Sequence, residues 1–357
     1  MSQSPRSLYF VNWWIDAAAI GGLSIAAFVI ARLLADGGTR AIELAQAGAI
    51  LSVFVNYPHF SATIYRLYEN PDSARQFPVT AYALPFVLLG AVAASLWQPA
   101  LIAPYFVLLF LIWSPYHYSG QTLGITMIYA RRAGFQVERW QRLALSTFVF
   151  SIFVVALAHR QQRTEPTTSH GVTLPPIPFP DWFAPVATAV MWAGAAVFLW
   201  FVVDWCRKHR RMLPPIVLLP AASQFIWFMP GMKTAAFYEF VPLFHSLQYL
   251  FIAWAMQISL QVGREGQERS WRAIRAVSMK WGLWNYAGGI ALFIGLPWLF
   301  MWVSVPTATI VGVLIAAVNI HHFFVDGVIW KLRHTSSASP LMTNVTDLAA
   351  HPRPASA

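Results

Sequence analysis

Apolar residues run along this chain in long unbroken stretches, with polar positions gathered in the short intervals between them. A helix needs about 20 mainly apolar residues to cross a hydrocarbon core about 30 Å thick, because each residue rises about 1.5 Å. Ten stretches qualify, at 12-34, 42-66, 79-97, 101-130, 141-159, 183-205, 212-230, 238-262, 282-303 and 306-331. Tight turns alone separate the third from the fourth, near Gln98 and Pro99, and the ninth from the tenth, near Pro306. The pattern predicts an all-α fold, a polytopic transmembrane helix bundle of about ten spans containing two helical hairpins.

The polar intervals orient the bundle, since short cytoplasmic loops are enriched in Lys and Arg. Arg66 and Arg75 follow span 2, Arg131, Arg132 and Arg142 follow span 4, and Arg207, Lys208, Arg210 and Arg211 follow span 6. Span 8 is followed by Arg264, Arg269, Arg272, Arg275 and Lys280, and span 10 by Lys331 and Arg333. Odd-numbered connections are poorer, with Lys233 after span 7 and Arg160 and Arg163 in the longer 160-181 loop. Both termini are therefore expected on the cytoplasmic side. Residues 1-334 read as a single transmembrane domain and 335-357, rich in Ser, Pro and Ala, as a disordered cytoplasmic tail. The 160-181 loop, rich in Pro and Thr, is expected outside with little regular structure. Gly263 to Lys280, where charge alternates with Trp271, Ile274 and Val277, predicts a separate cytoplasmic or interfacial helix. No cleavage site follows the polar segment Met1 to Ser7, so the first apolar stretch is read as a retained span.

Composition agrees with this division. Charged residues make up 11% of the chain, far below the roughly 25% of soluble domains. Seventeen tryptophans suit a protein with two lipid–water borders. The formal charge of +10 does not point to nucleic acid, because the basic residues form short runs beside apolar segments rather than one stripe. An integral protein of the bacterial inner membrane is expected. Cys206 is the only cysteine, so a disulfide framework or thiolate cage is excluded and any metal must be held by nitrogen and oxygen.

Five of the ten histidines, His59, His117, His245, His321 and His322, fall inside apolar spans. An ionisable group there is costly and faces the bundle interior with a partner. Each belongs to a polar stripe at helical spacing. Asn56, His59 and Thr63 share a face of span 2, and Ser114, His117 and Gln121 share one of span 4. His245 and Gln248 pair on span 8, and Asn319, His322 and Asp326 pair on span 10, with His321 turned about 100° away. A lone intramembrane histidine is more often an interhelical hydrogen-bonding residue than a ligand. Four helices each presenting one reverse that balance, because imidazole suits iron, copper and zinc. The expected ligands are His59, His117, His245, His321 and His322, with Tyr118, Gln121, Gln248 and Asp326 as polar residues serving the same site. Asp326 has a structural alternative as an ion-pair partner of Lys331, and Tyr116 and Tyr118 have one in aromatic packing. Pro58 and Pro115 are expected to bend spans 2 and 4 beside the site.

Pro58-His59, His117-Tyr118 and Phe244-His245-Ser246 resemble the membrane-embedded iron sites of the Brp/Blh-type carotenoid dioxygenases, which cleave β-carotene. The resemblance covers local motifs only. It implies a helical bundle, non-haem iron and dioxygen acting on an isoprenoid. Phe60 follows the Pro-His pair where the family has glycine, and Gln248 and Tyr249 stand near the family's second late histidine. Span 10, with His321, His322 and Asp326, offers donors outside the family's pattern.

Three functions compete at this stage. One is a metal-dependent membrane oxygenase, with iron as cofactor, acting on a lipophilic small molecule from the bilayer together with molecular oxygen and, if one is needed, an electron donor. A second is a haem b electron-transfer or haem-handling protein, and a copper site would serve a related chemistry. The third is a transporter in which histidines relay protons, which the lack of internal repeats disfavours.

Overall fold

The computed structural model describes residues 8–34, 38–69, 71–160, 165–264, 267–330 and 340–350. The described chain is helical apart from one small hairpin, as the apolar runs predict. In chain order the elements are α1 (Trp13–Leu34), α2 (Thr39–Tyr68), α3 (Pro71–Gln76), α4 (Val79–Trp97), α5 (Ala103–Arg132) and α6 (Arg139–Arg160). A hairpin of β1 (Thr167–Ser169) and β2 (Val172–Leu174) follows. The remaining helices are α7 (Phe183–His209), α8 (Leu219–Phe228), α9 (Ala235–Tyr238), α10 (Val241–Val262), α11 (Trp271–Ile290), α12 (Thr307–Ile329) and α13 (Val345–Ala350).

Five of these helices are long and apolar enough to cross a membrane: α1, α4, α6, α7 and α12. Helices α2 and α5, of 30 residues each, and α10, of 22, have the length but not the apolarity. They carry many of the buried polar residues: His59, Ser61 and Thr63 on α2, His117, Ser119 and Thr122 on α5, and His245, Ser246 and Gln248 on α10. Burial inside protein lets a helix hold such groups at depth, at the expense of its hydropathy.

Two expected spans take a different form. Span 7 is broken: α8 has 10 residues, about 15 Å at 1.5 Å each, and gives way to the turn Gly231–Lys233 and the four-residue α9. Pro214, Pro215, Pro220 and Pro230 punctuate this stretch, and Trp227, Phe228 and Phe237 hold it buried among other helices. Irregular backbone at membrane depth is tolerated under that condition. Span 9 and the separate interfacial helix are instead one helix. Ser270 caps it, its Oγ accepting from the Ala273 amide at 3.1 Å, and helical turns continue past Ile290 through Ala291–Gly295 to Trp298. No proline interrupts residues 271 to 296, and a single glycine such as Gly282 does not stop a helix. This helix packs against α2 at Gly289, where an added Cβ would come within 2.6 Å of the Tyr57 carbonyl carbon.

The 160-181 loop is more ordered than its composition suggests. His170 and Gly171, both at positive φ, turn the β hairpin. Val172 and Leu174 are buried in the apolar cluster of α4, α5 and α12. Thr309 donates to the Gly171 carbonyl at 2.6 Å, and His170 stands edge-on to Phe110, where burial lowers its pKa below the usual imidazole range. Gly312 leaves room for the His170 backbone, so the hairpin caps this end of the bundle.

The opposite end is closed by a clasp that the sequence reading leaves out. Pro340–Met342 and α13 pack onto the core through Leu341, Val345 and Leu348, correcting the unstructured reading of this part of the tail. Its apolar residues are few but correctly spaced for one face. Arg132, at the end of α5, donates to the carbonyls of Tyr9 at 2.6 Å, Leu8 at 3.0 Å and Leu341 at 2.6 Å. Asp16 accepts from the amides of Phe10 and Val11 and from the Tyr129 hydroxyl. The two ends of the described chain therefore lie together at the basic end of α5. Arg163, Lys331, Arg333 and tail residues 335–339 and 351–357 lie outside the described residues.

Candidate metal centre

Helices α2, α5, α10 and α12 each bring one histidine to a common point. His59, His117, His245 and His322 offer one ligand atom each, all within 4.8 Å of one another. All four residues are buried. The Nε2 of His322 stands 3.0 Å from that of His59 and 3.1 Å from that of His117. The Asp326 carboxylate, one turn from His322, adds an oxygen 3.3 Å from His322 Nε2 and 3.7 Å from His117 Nε2.

Hydrogen bonding within the protein does not account for this arrangement. A neutral imidazole nitrogen has one in-plane lone pair or one proton, and His322 Nε2 faces two other ring nitrogens and a carboxylate oxygen. Serving one neighbour well leaves the others poorly served. A cation at the meeting point would accept every lone pair at once, with Asp326 offsetting part of its charge. Two nitrogens about 2.1 Å from one ion and at about a right angle are about 3.0 Å apart, which matches the two close separations.

The rings are held from behind. His322 Nδ1 lies 2.8 Å from Thr63 Oγ1, and a metal ion on Nε2 would leave the ring proton on Nδ1 to be donated to that oxygen. Thr63 Oγ1 also lies 2.7 Å from the Tyr249 hydroxyl and 3.3 Å from Asp326 Oδ1. Trp330 Nε1 donates to the same Asp326 oxygen at 3.2 Å. Tyr118 stacks on the His245 ring, centroids 3.9 Å apart, and Phe323 stacks on His117 at 4.7 Å. Gln121 Nε2 donates to the His245 carbonyl at 2.9 Å and to Gln248 Oε1 at 3.2 Å. Gln248 in turn donates to the Ile20 carbonyl in the π-helical turn Ala18–Gly22 of α1. Asn56 accepts from Ser246 and ties α2 to α10. Helices α2 and α5 run through Pro58 and Pro115, which lie in the turns just before His59 and His117.

Four of the five expected ligands thus converge. His321 is half-buried beside His322 and stands outside the group of four, as its 100° offset on the helix requires. Tyr118, Gln121, Gln248 and Asp326 all lie at or behind the rings, Gln248 two contacts removed from the His245 ring. Sequence reasoning left out Trp330 and gave neither Tyr249 nor Thr63 a part in the site. All three stand four residues after a site residue, His245, Asp326 and His59 respectively, a spacing that puts them on the same helix face. Comparison with family models, curated proteins and solved structures gives no match for this chain.

Proposed function

We propose that this chain is a membrane-embedded, metal-dependent oxygenase, with non-haem iron held by His59, His117, His245 and His322 and a lipophilic substrate taken from the bilayer. The observation that carries the reading is the meeting of four buried imidazoles from four helices within 4.8 Å. Iron is favoured by the donor set. Four neutral nitrogens without thiolate leave coordination positions open on a five- or six-coordinate ion, whereas zinc closes naturally at four. The close nitrogen separations also suit right-angled ligation better than the roughly 3.4 Å of tetrahedral ligands at about 2.1 Å. Haem b suits the site less well. It would use two histidines where four converge, and the separations of 3.0 and 3.1 Å are shorter than the roughly 4 Å its two ligands would need.

Bound iron would supply oxygen activation, and the protein residues do the remainder. His322 and Asp326 are oriented by Thr63, Tyr249 and Trp330, and aromatic rings pack against the histidines. Placing both oxygen atoms in the substrate needs no external reductant; placing one and releasing the other as water would draw two electrons and two protons from a donor partner. We further read the basic end of α5 as cytoplasmic, the two chain ends with it, and the membrane as the bacterial inner membrane.

Elemental analysis of the detergent-purified protein, taken with its absorption spectrum, tests the proposal. About one iron per chain and no Soret band are expected. A Soret band would assign the histidines to haem, and metal-free protein after expression in iron-supplemented cells would remove the oxygenase reading.

A further inference from the structure

A cavity of about 550 Å³ opens beside the histidine cluster, between α5, α6, α10 and α12. That volume lies within the range of about 300–1,000 Å³ typical of small-molecule sites. His117, Tyr249 and Asp326 line its inner end. From there it follows α5 as far as Ile128, about 16 Å along the helix axis at about 1.5 Å per residue. Its walls, including Phe150, Ile252 and Phe323, are apolar.

Its flank is unusual. Among the described residues five glycines would meet nothing within 4 Å on gaining a Cβ: Gly90, Gly120, Gly124, Gly282 and Gly327. Gly120 and Gly124, four residues apart on α5, and Gly327 on α12 all line this one cavity. They are exposed, so the cavity is a groove open along its side, and nothing in the protein fills the space their missing side chains leave. Glycine in a helix interior costs about 1 kcal/mol relative to alanine. Closely packed helices elsewhere in this chain explain glycines such as Gly289; no packing explains these three.

The far end carries a cationic side chain. Arg142, in the first turn of α6, lines the groove where that helix runs back along the end of α5. Its exposed guanidinium has no hydrogen-bond or ion-pair partner among the described residues. An anionic group is attracted to Arg142 at the far end of the groove.

We propose that this groove binds a long-chain amphiphile with an anionic head, the head beside Arg142 and the apolar chain lying over Gly124 and Gly120 towards His117 and Asp326. The ligand so placed presents its hydrocarbon, not its head, to the histidine cluster. Its role as substrate rests on the oxygenase reading; its binding does not.

Photolabelling of the full chain in detergent micelles with a diazirine-bearing long-chain fatty acid, mapped by mass spectrometry, tests this. Labels are expected on α5 between residues 120 and 128 and on α12 between 323 and 330. Oleate should compete at about tenfold lower concentration than oleyl alcohol, and Arg142→Gln should abolish that preference. Farnesyl phosphate competing better than oleate would assign a phosphate head, the reverse order a carboxylate; both support the site. Gly124→Leu should cut labelling at least about tenfold, the fold-change of one lost favourable contact set. Gly282→Leu, at an open glycine outside the groove, should leave it unchanged. Labels spread over all lipid-facing helices, undiminished labelling of Gly124→Leu, or equal competition by acid and alcohol would overturn the proposal. Iron is measured on the same samples. Metal-free protein that still labels in the groove removes the oxygenase reading and leaves the ligand site standing.

Discussion

His322→Ala is expected to empty the proposed metal centre, lowering bound metal per chain at least about tenfold and the thermal unfolding temperature with it. No other side chain has as many roles there: its Nε2 stands beside both His59 and His117, and its Nδ1 binds Thr63. A ligand held at a thousand times its Kd adds about 4 kcal/mol to apparent stability, all of which goes when binding goes. Truncation also leaves the Thr63 hydroxyl short of a partner at a buried position, at a cost of about 1–3 kcal/mol. His321→Ala is the comparison, since the neighbouring ring is half-buried and outside the group of four. It should keep its metal. Elemental analysis and unfolding curves with and without added iron distinguish the two variants, and equal losses would show that the wrong histidine of the pair has been assigned.

Thr63→Val should weaken metal binding about 10–100-fold while preserving the fold, the usual penalty for removing a group that orients a ligand. Valine keeps the shape of threonine and deletes only the oxygen. That oxygen lies 2.8 Å from His322 Nδ1, 2.7 Å from the Tyr249 hydroxyl and 3.3 Å from Asp326 Oδ1, so three groups lose a partner together. Competition with a chelator gives the affinity directly. An affinity equal to that of the parent would mean that the hydroxyl orients nothing, and His322 would then be held by packing against Phe60, Tyr249 and the neighbouring histidine rings.

The histidine centre was readable in the sequence because membrane burial makes polar residues conspicuous. His59 with Thr63, and His322 with Asp326, sit at four-residue spacing inside apolar runs, where a polar side chain must find a partner. The same contrast located most helices, since α2, α5 and α12 end within a few residues of the apolar limits. It failed where apolarity was supplied by neighbours instead of lipid. Residues 212–230 are apolar enough to read as a span, yet their prolines break the helix and Trp227 and Phe228 are buried in protein. It failed also at the clasp, where α13 is a six-residue helix in a Ser- and Pro-rich context and is held chiefly by the docking of Leu341, Val345 and Leu348. Helices so short have little stability of their own, so tertiary contact decides them. Tyr249 and Trp330 went unassigned for another reason: aromatic residues are common at membrane borders, and only the fold shows which of them turn a polar edge inward.

X-ray absorption at the iron edge of the purified protein tests the proposed metal centre most directly. Coordination by about four imidazole nitrogens at about 2.1 Å is the expected result, with the outer-shell pattern of histidine rings and no sulfur. A porphyrin signature, or iron bound mainly by oxygen without imidazole, would contradict the convergence of His59, His117, His245 and His322 on a single ion.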